Sequence, residues 1–340
     1  LNIGGKFSCI LYDSWQSTKY GKWLFNYIKT NCKNVKINST ERMPFNGLLI
    51  DATIISGIRI KEKQQLDNTS NNIDDYYVFT RSINGLATIN SLFKARRGLR
   101  LKQTSFFMTG KEDVKRIGAT PFIKKVALVP DYLVPESHPE AALIYNESKG
   151  EVDVLDEINS RIIQAKDNPK ENSSILNWYK ERPDSWFSHK QPRWDPILFN
   201  YYIRTKPKFI FNPTRGYSDN FYGLEPLNSI SSFAWLAILN STMTSIGILE
   251  QARNQGSGLA KLQLFEFKRA KVVDLTKWEK NEITIMTNFG KELIDNSVKS
   301  CNTLMKINSL ISEVLGYNID EMNKKFTIVD MNAKKPKNTF

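Results

Sequence analysis

Cysteine and histidine are scarce in this 340-residue chain. Cys9, Cys32 and Cys301 are too few and too scattered for a disulfide framework, so a reducing compartment is expected. His138 and His189 lie far apart with no cysteine nearby, which argues against a zinc site, and no metal is expected. No apolar run approaches the roughly 18 residues of a membrane span, and no basic segment followed by an apolar one opens the chain as a signal peptide would. None of the thirteen prolines are adjacent, so any motif built on Pro-Pro is excluded. There is no Gly-x-x-x-x-Gly-Lys-Ser/Thr loop, no Gly-x-Gly-x-x-Gly and no Gly-x-Ser-x-Gly elbow, leaving phosphate-loop, dinucleotide and hydrolase chemistry without their signatures. Leu1 is not an initiator methionine, which suggests a piece of something longer.

What the chain has in excess is positive charge. Lys+Arg number 48 against 35 Asp+Glu, a net +13. The excess is clustered. Eleven Lys/Arg against two acids fall between Val78 and Leu128, giving +9, and six against one between Trp186 and Ser218, giving +5. Between Val129 and Ser160 eight acids face one lysine, giving −7. Basic surface interrupted by an acidic segment suits a groove that follows a phosphate backbone; a solvated lysine-rich composition is the alternative. Phe106, Phe107, Phe209, Phe211 and Tyr217 are interleaved with the basic residues, the mixture that base stacking plus phosphate contact requires. Asp153, Asp156 and Glu157 sit at helical spacing and read as a solvated helix face.

Residues 3–12 read as a turn and a short apolar strand, followed by a helix with Tyr20, Trp23, Leu24, Tyr27 and Ile28 at three- and four-residue spacing. Strands are expected at 35–37 and 52–60. Strand, helix, strand in this order is a crossover unit, which normally sets its strands parallel. Residues 63–75, within a polar Asn-rich run, read as a linker. Residues 76–275 read as a mixed α+β domain with helices near 154–166 and 229–252. Residues 276–340 carry helical spacing, with Gly316 as a helix stop.

Particular strings carry a resemblance. Gly4-Gly5-Lys6-Phe7 through Trp15, then Met43-Pro44-Phe45 through Asp51-Ala52-Thr53, resemble the late catalytic region of TaqI-like adenine-N6 DNA methyltransferases, with Tyr12 where the family often has proline. Arg97-Gly98-Leu99-Arg100 through Phe106-Phe107 is similar to the opening of the family's target-recognition domain. Phe209 to Asn212, Asn220-Phe221-Tyr222, Leu239-Asn240-Ser241 and Gly256 to Leu262 follow in the family's order, and Leu310–Gly316 resembles its helical tail.

The resemblance implies the C-terminal end of a Rossmann-like methyltransferase sheet (residues 1–62, incomplete), the linker, a DNA target-recognition domain and a helical tail: an α/β piece joined to an α+β domain. It implies a parent site-specific adenine methyltransferase of a restriction–modification system, in a prokaryotic cytoplasm, moving methyl from S-adenosylmethionine to a flipped adenine. The family's S-adenosylmethionine loop and Asn-Pro-Pro-Tyr motif are missing from this sequence, so no catalytic or cofactor-binding residue is assigned in it and it is expected to be inactive alone. Phe45 is implied as the ring that stacks on the flipped base, with a core role as its alternative. Double-stranded DNA is the expected partner, with a separate or upstream catalytic segment, and no membrane. The expected DNA contacts are Arg96, Arg97, Arg100, Lys102, Arg204, Lys206, Arg215 and Lys261, arginine reading guanine and lysine neutralising phosphate. A non-enzymatic specificity subunit tethering a separate catalytic chain is the alternative, and a basic RNA-binding or scaffolding protein the third reading.

Overall fold

A computed structural model describes residues 2–12, 15, 19–39, 52–60, 79–129, 131–146, 152–255, 258–295 and 300–334. Phe45, the linker and the Gly256-Ser257 pair lie outside the described residues.

The N-terminal unit comprises β1 (Lys6–Tyr12), α1 (Lys19–Asn31), β2 (Cys32–Ser39) and β3 (Ala52–Arg59). Phe7, Cys9 and Leu11 alternate inward on β1 and pack with Ile28 and Leu24 of α1 around Trp15 and Ile55. The expected parallel neighbours are not formed. The sheet order is β1-β3-β2, and β3 pairs antiparallel with both flanking strands. β1 and β2 therefore run the same way, as a crossover requires, but a reversed strand separates them. β3 takes the centre because it carries the apolar run Ala-Thr-Ile-Ile, whereas β2 presents Lys33, Lys36 and Asn38, residues suited to an edge.

The remainder begins with β4 (Leu86–Thr88), α2 (Ile89–Leu92), β5 (Phe93–Arg97), α3 (Thr104–Phe107), β6 (Met108–Gly110) and α4 (Glu112–Arg116). It continues through β7 (Thr120–Ile123), β8 (Glu140–Ala142), α5 (Val152–Asp167), α6 (Ser173–Glu181), β9 (Ile197–Asn200), β10 (Tyr202–Ile203) and β11 (Phe209–Phe211). Then come β12 (Gly216–Tyr217), β13 (Phe221–Pro226), α7 (Ser232–Leu239), α8 (Thr242–Gln251), β14 (Arg253–Asn254) and β15 (Ala260–Lys261). Last are α9 (Leu264–Arg269), β16 (Lys271–Val273), α10 (Lys280–Asp295), α11 (Ser300–Leu315) and α12 (Ile319–Lys334).

A four-stranded antiparallel sheet, β11-β9-β13-β5, forms the backbone of the main core. Helix α7 (Ser-Phe-Ala-Trp-Leu-Ala-Ile-Leu) is apolar all round and almost wholly buried, as a central core helix must be. The single helix expected near 229–252 is two, bent by 69°. Asn240 breaks it: its side chain accepts from the Phe209 amide and donates to the Phe209 carbonyl, holding the helix end against β11 as a strand neighbour would. Ser241 then caps α8 by accepting from the Thr244 amide. Among the described residues no single helix is long and apolar enough to cross a membrane, and this bent pair is core.

Helices α10–α12 supply Met286, Leu293, Ile307, Ile311 and Met322 to the same core as the sheet. These three helices thus pack into the same body as the sheet. Gly290 makes this possible, since a Cβ there would collide with the Phe233 carbonyl of α7. Gly316 ends α11 at φ +63°, as its spacing predicts. A second core gathers α5, α6, Phe107 and Trp186, next to the mixed sheet β12-β7-β8-β6. Asp153 and Asp156 are exposed on α5, while Glu157 pairs with Arg161 and Arg116.

Candidate nucleic-acid interface

The small sheet β10-β15-β14 sets Tyr202, Lys261 and Arg253 directly opposite one another. Residues in register share a face, so one aromatic and two cations form a row. The next row, Ile203, Ala260 and Asn254, turns the other way, with Ile203 and Ala260 buried. The sheet therefore has an apolar underside and a basic, aromatic upper face.

That face is the surface end of a column of rings. Phe209 stacks on Phe199, Phe199 on Phe267 at 4.9 Å and 7°, Phe267 meets Tyr222, Tyr222 stacks on Tyr201, and Tyr201 touches Tyr202. Phe209 is fully buried and Tyr202 is 40% exposed, so the column runs from the core to solvent. Each such ring pair adds about 0.5–1.5 kcal/mol beyond its buried area, which makes the platform stiff. Two cations gather at its outer end. Arg97 lies 5.5 Å from the Tyr201 ring and donates to its hydroxyl at 3.1 Å, while Lys261 lies 5.9 Å from Tyr201 and 5.0 Å from Tyr202. Arg97 is oriented by Asp219, whose backbone carbonyl it meets at 3.1 Å and carboxylate at 3.5 Å. Arg253 is held by Glu266. Burial, with the neighbouring Tyr202 hydroxyl, pushes the Tyr201 hydroxyl above its ordinary pKa, so it stays protonated.

Arg97 is the start of a ridge. Gly98 comes next, and a side chain there would strike the Ser218 carbonyl. The close approach lets the Gly98 amide donate to Phe221 and the Leu99 amide to Tyr217, pinning the ridge across the turn before β13. Arg100 and Lys102 stand exposed on it. Arg204, just past β10, is also exposed, and neither Arg100 nor Arg204 forms an ion pair among the described residues. Lys206 packs over the ring of Phe326 on α12, at 5.2 Å.

Two of the expected contacts are placed elsewhere. Arg96 points to the opposite side of β5, bonding Asp195 at 2.6 Å and Glu225. Asp195 is 1% exposed and also accepts from Tyr217. Burial pushes its carboxyl up in pKa, while the Tyr217 hydrogen bond and the Arg96 charge pull it back. Arg215 is 7% exposed and donates to the Glu140 and Glu136 carbonyls at 3.2 and 2.8 Å. The terminal nitrogens of Arg96 and of Arg215 bond inside the fold, so the exposed or half-exposed set narrows to Arg97, Arg100, Lys102, Arg204, Lys206 and Lys261. The interleaved aromatics are also corrected. Phe107, Phe209 and Tyr217 are core, and the exposed ring on the β10-β15-β14 sheet is Tyr202, which its basic neighbours alone did not distinguish. Arg253 was missed as well; only its register opposite Lys261 reveals it.

The described residues contain no group of three or more metal-ligating side chains. An open hollow between α10 and α11, lined by Ile285, Phe289, Met305, Lys306, Leu310 and Glu313, has no cradle of backbone amides and one exposed carboxylate, and does not fit S-adenosylmethionine.

No protein-family model matches the sequence, and no curated protein does. Among solved structures, the fold is similar to the type IIG restriction endonuclease BpuSI, at a TM-score of 0.52 and 12% identity over 98% of this chain and 47% of that one. It is similar also to the type IIL restriction–modification enzyme MmeI, solved in complex with DNA, at a TM-score of 0.50 and 11% identity over 96% and 50%. At these identities the likeness is one of fold: a mixed α/β body of several small sheets and helices that occurs in restriction–modification enzymes. The chain spans about half the length of either.

Proposed function

We propose that this chain is the DNA target-recognition portion of a restriction–modification enzyme whose complete form is an adenine-N6 methyltransferase. The observation that carries the proposal is the row Tyr202–Lys261–Arg253 with Arg97 at its side, a stiff aromatic platform rimmed by cations. Such a surface meets both demands of duplex recognition, charge for phosphate and directed donors for base edges. The fold shared with half of two restriction–modification enzymes supports the setting, and the ordered strings of the sequence support the adenine-specific family. In the complete enzyme S-adenosylmethionine supplies the methyl group. The family's S-adenosylmethionine loop is missing from this sequence, so in this reading its residues bind and orient DNA and leave the transfer to another segment. Phe45 remains the proposed stacking partner of the flipped adenine, and the setting remains a prokaryotic cytoplasm.

Selection from a pool of random duplexes tests this reading: one enriched site is expected, and uniform recovery would refute it. Incubation with labelled S-adenosylmethionine should give no methylated DNA from this chain alone, and measured transfer would overturn the division of labour. The second reading, a specificity subunit without its own chemistry, is favoured by the absence of any Pro-Pro step in the sequence. It separates from the first by whether a catalytic segment acts in cis or must be added as a second chain.

A further inference from the structure

The far end of the ridge holds a second cluster of cations. Lys102 Nζ lies 4.2 Å from the centre of the Trp178 indole, and the Arg182 guanidinium carbon lies 3.9 Å from the same ring. The indole is fixed, because its Nε1 donates to the Trp186 carbonyl at 2.8 Å, and Trp186 is itself buried among Phe106, Phe107 and Tyr179. Lys102 is fixed by its neighbour Gln103, which takes a left-handed backbone, φ 52°, uncommon for a residue with a side chain. The Gln103 amide side chain exchanges hydrogen bonds with Ser174 of α6 at 2.8 and 3.0 Å. The turn thus delivers Lys102 onto the indole on which Arg182 also rests.

A π-face holds a cation but does not neutralise it. Neither Lys102 nor Arg182 forms an ion pair among the described residues, in contrast to Arg96, Arg116, Arg161 and Arg253, each of which has a carboxylate. Two unneutralised positive charges on one immobile ring call for an anion with several oxygens. The cluster is also near the reading platform. Lys102 lies five positions after Arg97, at most about 17 Å of extended chain, or roughly five base pairs of rise. One duplex can meet both.

Resting on the DNA-recognition reading, we propose that Lys102, Trp178 and Arg182 form a site for the phosphate backbone of the bound duplex, distinct in task from the Arg97–Tyr202–Lys261 platform. The platform discriminates among sequences; the Trp178 cluster supplies sequence-independent affinity. Phosphate contacts set register and salt dependence, whereas base contacts set preference.

The test uses the whole chain, the duplex recovered by selection and a scrambled duplex of equal length, with affinity measured by fluorescence anisotropy from 50 to 300 mM salt. The double variant K102Q/R182Q keeps the side-chain stems and loses the charges. It should bind both duplexes about tenfold or more weakly, by the same factor, with the slope of log affinity against log salt shallower by about two. The pair K102R/R182K should restore most of both. Unchanged affinity and slope in K102Q/R182Q would overturn the site while leaving DNA binding intact. A changed ratio between the two duplexes would also overturn it, since the residues would then read bases. Inorganic phosphate at matched ionic strength should displace no more DNA than chloride does; selective displacement would mark a free-phosphate site instead and sink the assignment. Failure of the unaltered chain to bind any duplex would refute the underlying reading, an outcome separable from all of these.

Discussion

Two adjacent arginines at the end of β5 have opposite fates. Arg96 turns to the side of Asp195, Tyr217 and Glu225, where two carboxylates answer its charge and Asp195 and Tyr217 are buried. Arg97 turns to the side of Tyr201 and Lys261, where the rings are stacked, Asp219 is its one carboxylate partner among the described residues, and the surface is open. One side of the strand is finished as structure, the other left available to a ligand. The difference teaches that basic charge marks a binding surface only where the fold withholds its own carboxylates.

The largest effect should come from the closed side. Arg96→Ala leaves the buried Asp195 carboxylate with Tyr217 alone, and breaking a buried pair costs about 3–5 kcal/mol. A drop in melting temperature of roughly 10 °C is expected for a body of this size; a stable but weakly binding variant would break the comparison, because Arg96 would then be a ligand contact. Next is Gly98→Ala. Its methyl must push the ridge off the Ser218 carbonyl, costing about 1–3 kcal/mol as overpacking does, with duplex affinity falling alongside stability in paired denaturation and anisotropy measurements.

On the open side, Arg97→Ala and Lys261→Ala should each leave stability within about 0.5 kcal/mol. Each should weaken binding to the selected duplex by about 1–3 kcal/mol, roughly five- to 150-fold, and relax preference at a base position when selection is repeated. Destabilisation without loss of binding would place these residues with Arg96. The smallest effect concerns acid. A hydrogen bond from Thr109, outweighing burial and reinforced by Arg116, holds the Asp113 carboxyl below its ordinary pKa. A depressed carboxylate stabilises the fold above its unfolded-state pKa and loses that contribution as pH falls through the folded value, hence below about pH 4. Urea midpoints between about pH 2.5 and 7 should show a flatter acid limb in Asp113→Asn, and an unaltered limb would remove Asp113 from the account.

Much of the scaffold was legible because helix periodicity is local. Val154, Ile158 and Ile162 on α5, and Ile307 and Ile311 on α11, are buried at the spacing that announces a helix, and Gly316 stops α11 through its own backbone freedom. The break at Asn240 was not legible, since its cause is a pair of hydrogen bonds to Phe209, 31 residues away. The order β1-β3-β2 was hidden for a related reason. A crossover rule describes strands joined by a helix, but which strand occupies the centre depends on how apolar each is against its neighbours.

By itself the sequence determined where the long amphipathic helices lie, that the chain concentrates its positive charge in two stretches, and which catalytic motifs are missing. Composition, spacing and motif identity are properties of the chain alone. Only the tertiary structure decided which cations remain open. Arg96 is closed by Asp195, 99 residues away, Arg215 by carbonyls 75 and 79 residues away, and Lys261 is brought to Tyr202 by strand register. Charge is written into the chain, but its neutralisation depends on distances of a few ångströms, and those exist only once distant segments have packed.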